Sequence, residues 1–400
     1  MNEKMKIALC CPASLPATQF GGIMFLAVDI ARELSKNGNN VSIFTTDLDF
    51  GNGPKKFNKE LPRCELVDKF TIYRSHVWLS INLFFINPGM YFQLLNNDVD
   101  IIHTIGLRSF QSFVAALIAK RKKIPLIISD QGGLTTHPEL NDASIMRKFL
   151  YKIQNIMIKF IVNQSTKISV ANEYEKKIFE KFDNKNKSII IKNGINLEEL
   201  DSKNIYLKKK YNIEKKFILF LGRFHKVKGV DILINAIKKI KDEQMELDFK
   251  VVIMGADFGY EKQMLELIKK LKLENELLII RNPQREEVIA AYKECEFLVL
   301  PSRWELSPLT PLEGFAFKKP VISTNVHGIP STIQNNKNGI LVPSEDVTTL
   351  ANAIMELLEN KQKRDEMGNE GYQLVKNICN SRIMAERTFE IYQEAINNSK

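Results

Sequence analysis

The 400-residue sequence predicts an α/β protein built from two doubly wound, mainly parallel sheets in tandem. Three observations carry that expectation. Short apolar runs of strand type alternate with stretches of helical periodicity. The alternation restarts in the second half, after the turn signal Asn193-Gly194. The length also exceeds what one hydrophobic core usually serves.

Taken in order, "KIALCCPA" reads as a buried strand, and Ile23, Leu26, Ala27, Ile30, Ala31 and Leu34 follow at helical spacing until Gly38 closes the helix. "NVSIFTT" is the second strand, and 100–104, 124–129 and 167–171 are further β-type runs with helix-compatible sequence after or between them. The second series occupies 217–223, 250–256, 277–282, 297–302, 320–324 and 339–343. Connections of helical length imply crossover units, hence parallel pairing, in domains spanning 1–192 and 193–379. Ligands of such sheets bind beyond the carboxyl ends of the strands, so two facing sheets define a cleft, and the segments that follow strands are where chemistry is expected.

Composition narrows the function classes. With 44% hydrophobic and 26% charged residues the chain is not a disordered one. Five scattered cysteines (Cys10, Cys11, Cys64, Cys295, Cys379) show no metal spacing and read as free thiols of a reducing compartment. The apolar run before Pro12 is too short for a signal peptide, and no segment approaches the roughly 18 apolar residues of a spanning helix. A cytoplasmic protein is expected. The net charge of +10 suits anionic partners, but no zinc-finger or RNP-like pattern points to nucleic acid, and a lysine-rich solvated surface accounts for most of it.

Three segments that follow strands carry candidate chemistry. In "QFGGIMFLAVDIARELSKNG", Gly21 and Gly22 open a helix, a place where backbone can approach an anion and where a simple tight turn fits equally. In "LFLGRFHKVKGVDILINAI", Arg223 and Lys228 stand between Gly222 and Gly229, an arrangement that favours a pyrophosphate over plain solvated charge. In "LVLPSRWELSPLTPLEGFAFKKPVIST", Glu305 lies in a strand-to-helix loop and Glu313 in the first turns of the helix. Glu313 there either simply benefits from the helix dipole or accepts two hydrogen bonds from vicinal hydroxyls, as on a ribose.

The order of these pieces, GG, then LGR with K-x-KG, then E-x7-E, resembles the retaining nucleotide-sugar glycosyltransferases of family 4, glycosyl transferases group 1. The resemblance covers almost the whole chain, since "DIIHTIG", "IIKNGIN", "GILVP" and "AERTFEIYQEAI" also fit. It implies the GT-B architecture, two facing Rossmann-like domains with an interdomain cleft, and a final helix over about 380–400 packed back on the first domain. The implied activity is that of a retaining hexosyltransferase. It moves a sugar from a nucleoside diphosphate to a hydroxyl of a glycan or lipid-linked acceptor, in cell-surface polysaccharide or glycolipid synthesis, with no metal and no further cofactor.

Carried over residue by residue, the resemblance puts Arg223 and Lys228 on the donor pyrophosphate and Glu305 against the transferred sugar, these three forming the catalytic set. It puts Glu313 on the ribose hydroxyls, the amides of Leu309 and Thr310 on the phosphates, and Gly21 and Gly22 in the loop that closes over donor and acceptor. "DQGGLTTHPEL" follows a strand, so Gly132, Gly133 and His137 are candidate acceptor or donor contacts. His103 is a candidate sugar contact too, but Ile105 replaces the second histidine that many relatives carry, which favours a buried, hydrogen-bonded ring.

Departures from the family pattern are specific. Leu306-Ser307-Pro308 stands where Gly-Phe-Gly is common in the family, and Pro308 removes one amide donor toward phosphate. Lys318 occupies a place often held by glycine, and Ser331 one often held by an acid. Asp47-Leu48-Asp49 has the form of a metal-binding pair but reads as a polar loop. The stripe Ile145, Phe149, Ile153, Ile156, Met157 and Phe160, ringed by Arg147, Lys148, Lys152 and Lys159, is either a core face or an interfacial helix on the anionic inner face of the cytoplasmic membrane. The aromatic run "HVWLSINLFFINPGMYF" adds to the second alternative. A nucleotide-sugar epimerase of related fold and a catalytically idle donor-binding subunit are the competing functions.

Overall fold

In a computed structural model, the described residues are 4–49, 56–81, 83–131, 145–182, 187–201, 205–244 and 246–398. They form two compact units, one over residues 1–194 and 381–400 and the other over 195–380.

The first unit holds strands β1 (Lys6–Cys10), β2 (Asn40–Thr46), β3 (Cys64–Val67), β4 (Phe70–Ser75), β5 (Leu79–Ile81), β6 (Phe84–Ile86), β7 (Ile101–Ile105), β8 (Leu126–Ser129), β9 (Lys167–Val170) and β10 (Ser188–Ile190). Its helices are α1 (Gly22–Lys36), α2 (Gly89–Asn96), α3 (Phe110–Lys122), α4 (Ile145–Gln164) and α5 (Glu173–Phe179). The main sheet runs β10-β9-β8-β7-β1-β2-β4-β3. Every pairing in it is parallel except β3 with β4. Both faces are covered: Ile7 and Leu9 of β1 belong to one apolar cluster, Ala8 and Cys10 to the other, as alternation along a doubly covered strand requires.

The second unit holds β11 (Lys216–Leu221), β12 (Phe249–Gly255), β13 (Leu277–Arg281), β14 (Leu298–Leu300), β15 (Val321–Thr324) and β16 (Gly339–Val342). With them go α6 (Leu207–Lys210), α7 (Val230–Gln244), α8 (Glu261–Leu271), α9 (Arg285–Glu294), α10 (Leu309–Ala316), α11 (Val347–Glu359) and α12 (Lys361–Asn377). The sheet order is β13-β12-β11-β14-β15-β16, parallel throughout. Its winding reverses between β11 and β14, which is where an open parallel sheet presents a ligand crevice. The chain then re-enters the first unit as α13 (Ser381–Asn397), whose Met384, Ala385, Ile391 and Tyr392 join the cluster of Ile7 and Leu9.

Two features depart from the sequence expectation. The run 64–75 was not anticipated as strand, yet it forms the β3–β4 hairpin, turning at Asp68 with φ +52°. β3 has no buried residue, so it lacks the apolar run by which a strand is recognised. On α4 the buried face is Ile158, Ile161 and Val162, whereas Ile153 and Ile156 are 49% and 71% exposed. The stripe, read as either a core face or an interfacial one, therefore includes residues that face solvent, and the side chains of Ile145 and Phe149 lie outside the described residues.

Candidate functional site

The second unit concentrates the basic loop and both glutamates at the carboxyl ends of β11 and β14. After β11 the chain crosses Gly222 and Arg223 to a short 3-10 turn, Lys226–Lys228, whose start is capped by the His225 ring accepting from the Val227 amide at 3.2 Å. Gly229 ends the turn at φ +70°, and a Cβ on it would stand 1.9 Å from the carbonyl oxygen of Pro301. Only glycine lets the basic loop lie against the end of β14 this closely. The same economy recurs below it, where a Cβ on Gly255 would stand 1.9 Å from the Gly222 carbonyl oxygen.

This close approach has a chemical result. Lys228 Nζ forms an ion pair with Glu305 Oε1, and the two side chains are only 19% and 14% exposed. Arg303, between them in the loop, ties the two segments: its amide donates to the Val227 carbonyl at 2.7 Å, and its guanidinium holds Asp231 of α7 through two 2.8 Å hydrogen bonds and also meets Glu345. Hydrogen bonding to Asp231 first, opposed by burial and aided by Glu345, raises the Arg303 pKa above its ordinary range. The Arg223 guanidinium lies over the Phe258 ring, 5.0 Å from its centroid.

Glu313 sits in α10, one helix start away from Glu305. Pro308 is the extended N-cap residue (φ −66°, ψ 137°) rather than a helical one, and Pro311 falls in the first turn, where the missing N–H has no carbonyl to bond. The amides of Leu309 and Thr310 are thus the first two of a helix start whose dipole favours anions. Glu313 itself is buried and held from α9. Arg285 Nη2 donates to one carboxylate oxygen at 2.7 Å, the Tyr292 hydroxyl donates to the other at 2.7 Å, and Arg285 Nε also donates to Glu199 at 3.1 Å.

The structure thus brings Lys228 into contact with Glu305 and sets Arg223, Leu309, Thr310 and Glu313 on the loops and helix starts at the same end of the sheet. Sequence reasoning missed Arg285, Tyr292 and Arg303. The first two are seven positions apart on α9, about two turns, so they share a face, but nothing in the sequence says which carboxylate that face meets.

In the first unit, Gly21 is the N-cap of α1 at φ +93°, with open space where a side chain would be, and Gly22 is the first helical residue. His103 is fully buried inside β7, the alternative that the sequence favours over a sugar contact, with Nδ1 2.6 Å from the Tyr392 hydroxyl of α13 and Nε2 2.8 Å from the Ser129 hydroxyl of β8. Burial pushes its pKa down to about 3, so the ring is a neutral tie between the sheet and the last helix. Gly132, Gly133 and His137 lie outside the described residues.

Asp47 and Asp49 form a polar loop. Asp47 meets His76 Nδ1 at 2.5 Å and accepts from the Val77 amide at 3.1 Å, while Asp49 accepts from Asn58 at 3.0 Å. Among the described residues no group of three or more His, Cys, Asp or Glu side chains is gathered as a metal would need. No described helix is long and apolar enough to cross a membrane.

Comparison with known proteins identifies the family and the fold. The family model of glycosyl transferases group 1 matches residues 203–374, and that of Glycosyltransferase Family 4 matches residues 20–199. An uncharacterized glycosyltransferase of Methanocaldococcus jannaschii is 31% identical over 300 residues, 75% of this chain and 76% of that one. The N-acetyl-alpha-D-glucosaminyl L-malate synthase of Bacillus anthracis is 24% identical over 99% of both chains. Among solved structures, sucrose-phosphate synthase from Thermosynechococcus elongatus superposes with a TM-score of 0.77 at 18% identity, covering 99% of this chain and 100% of that one. HepE of Anabaena, solved with UDP-glucose, superposes with a TM-score of 0.75 at 16% identity over 98% and 100%. These two likenesses concern the fold, which is that of the GT-B glycosyltransferases.

Proposed function

The chain belongs to the family 4, group 1 glycosyl transferases, and from that premise we propose that it is a retaining hexosyltransferase acting on a nucleoside diphosphate sugar and a hydroxyl of a glycan or lipid-linked acceptor. The single observation that carries the proposal is the meeting of Lys228 with Glu305 at the reversal point of the second sheet, with Glu313 following in α10. Arg223 and Lys228 receive the pyrophosphate, the amides of Leu309 and Thr310 add donors to it, Glu305 faces the transferred sugar, and Glu313 accepts from the ribose hydroxyls. Gly21 and Gly22, at the start of α1, complete the proposed set of donor-binding residues.

In this mechanism the bond from the anomeric carbon to the acceptor oxygen forms on the face from which the diphosphate leaves. The acceptor proton passes to a departing phosphate oxygen. The protein positions the reactants and stabilises charge on the leaving group through Arg223, Lys228 and the helix start, so it needs neither an enzymic nucleophile nor a metal ion. Lys228, paired with Glu305, would turn to phosphate as the donor enters and free the glutamate for the sugar.

UDP-sugars are the donors to try first, because the HepE structures were solved with UDP and with UDP-glucose and the B. anthracis relative is named for an N-acetylglucosaminyl product. Peripheral association with an anionic membrane is part of the proposal, supported by Ile153 and Ile156, exposed on α4 among the exposed Lys148, Lys152 and Lys159. The test is nucleoside diphosphate release from UDP-glucose and UDP-N-acetylglucosamine with and without a panel of alkyl glycosides, with proton NMR of the product's anomeric centre. Release that depends on acceptor, with an α-linked product, is expected. Equal release without acceptor, an inverted product, or a change in the free sugar nucleotide alone would overturn it.

A further inference from the structure

The immediate surroundings of Glu313 hold a further pair of working residues. Its carboxylate is buried on α10, and a buried charge is costly unless paired and hydrogen-bonded. Both partners come from one face of α9: Arg285 on Oε1 and Tyr292 on Oε2, each at 2.7 Å. A carboxylate has about four lone-pair directions, two on each oxygen, so this arrangement uses one on each and leaves one on each. Two acceptor directions on adjacent oxygens are what a vicinal diol requires.

α9 is itself held in place. Gln284 and Glu287 form a reciprocal capping box at its start, and Glu287 is further bound by Lys210 at 2.5 Å and by the Tyr211 hydroxyl at 2.6 Å. Arg285, the first residue of the helix, bridges Glu313 and Glu199. Tyr292 is fully buried, with its ring stacked on Phe317 at 5.8 Å and 12°. Burial works against the Arg285 charge, but Glu313 and Glu199 more than offset it and hold the guanidinium above its ordinary range. Burial first, then Glu313, keeps the Tyr292 phenol well above its usual range. Both therefore remain donors at any working pH.

Stability alone is a poor reason for this arrangement, because well-packed apolar residues usually serve a buried position at least as well as an ion pair. We infer that Arg285 and Tyr292 are positioning residues that present the Glu313 carboxylate to the 2′- and 3′-hydroxyls of the donor ribose. This rests on the proposed role of Glu313 as the ribose acceptor. Neither residue needs to touch the nucleotide; they set the rotamer of the group that does.

The test compares binding of UDP, GDP and ADP with that of their 2′-deoxy forms by titration calorimetry, in the wild type, Tyr292→Phe and Arg285→Gln, with each variant's melting temperature as a fold control. A hydroxyl donating to a charged acceptor is worth roughly tenfold or more in affinity, so the wild type should bind the ribonucleotide about ten times more tightly than its 2′-deoxy form. Tyr292→Phe keeps the ring and its stacking on Phe317, and it should bring that ratio to about two or less, mainly through loss of ribonucleotide affinity. Arg285→Gln should do the same. If the variants fold and the ratio stays at the wild-type value, the positioning role is wrong and the two residues only fill space. If the wild type itself makes no distinction between the two sugars, the assignment of Glu313 to the ribose fails first, and the inference falls with it.

Discussion

The contact between the basic loop and the end of β14 predicts the outcome of one small substitution, Gly229→Ala. Gly229 has φ +70°, and its added Cβ would stand 1.9 Å from the Pro301 carbonyl oxygen and 2.8 Å from its carbon. Neither neighbour is a flexible side chain, so the backbone must part. A left-handed alanine costs about 1–2 kcal/mol, and forcing an extra methyl into packed structure costs about 1–3 kcal/mol more. The expected loss is therefore roughly 2–5 kcal/mol, a large share of the ~5–15 kcal/mol that holds a domain together. Gly259→Ala is the matched control, since Gly259 also has positive φ (+92°) but meets nothing within 4 Å. It should lose only the conformational part, about 1–2 kcal/mol.

Urea unfolding followed by tryptophan fluorescence reads both variants. The second unit carries Trp304, next to Glu305, as a local reporter. Because Lys228 precedes Gly229, moving the loop should also weaken UDP binding by about tenfold or more. Equal destabilisation of the two variants, together with unchanged UDP affinity in Gly229→Ala, would refute the claim that close approach at Gly229 builds the phosphate site.

Three further outcomes are expected. Glu305→Gln should leave UDP affinity within a few-fold of wild type while turnover falls by about a hundredfold, because the proposed site puts the carboxylate on the sugar rather than the nucleotide; an equal loss of both would place Glu305 on the phosphates. Replacing Ile153 and Ile156 together by serine should reduce co-sedimentation with vesicles of phosphatidylglycerol and phosphatidylcholine, and no change would remove α4 from any membrane role. The third outcome concerns pH. Burial, followed by the nearby Asp130, raises Glu175 to about 8, so the folded state holds a proton there that the unfolded state has lost, and stability drains away as pH rises from about 4.5 to 8. His103, held down to about 3 by burial, acts oppositely and loses its contribution only as pH falls below about 6.5. Between pH 6.5 and 8 Glu175 alone of the two contributes, and Glu175→Gln should flatten the fall in the unfolding free energy measured in urea there, by up to about 1.4 kcal/mol per pH unit; parallel curves for variant and wild type would contradict it.

What was legible in the sequence, and what was not, follows from the range of the interactions concerned. Strands buried on both faces, such as β1, β11 and β12, announce themselves as apolar runs, and the loops after them carry the signals that locate the site. Glycines were legible as punctuation, but their necessity was not: the clash at Gly229 involves Pro301, far along the chain, and only the sheet order brings β14 beside β11. Lys318 shows the converse. The family resemblance implies glycine there, and the structure gives Lys318 φ +56°, a left-handed backbone without the residue that adopts it most easily. Both glutamates and Lys228 were singled out in the sequence, whereas the pairing of Lys228 with Glu305 and the partners Arg285 and Tyr292 were not, because they meet across different elements of the sheet and its helices. Spacing along the chain identifies a group that can bind. Which partner already holds that group is decided by tertiary packing: in the proposed site Glu305 has a partner that phosphate would draw away, and Glu313 has partners on each oxygen that a ribose would join.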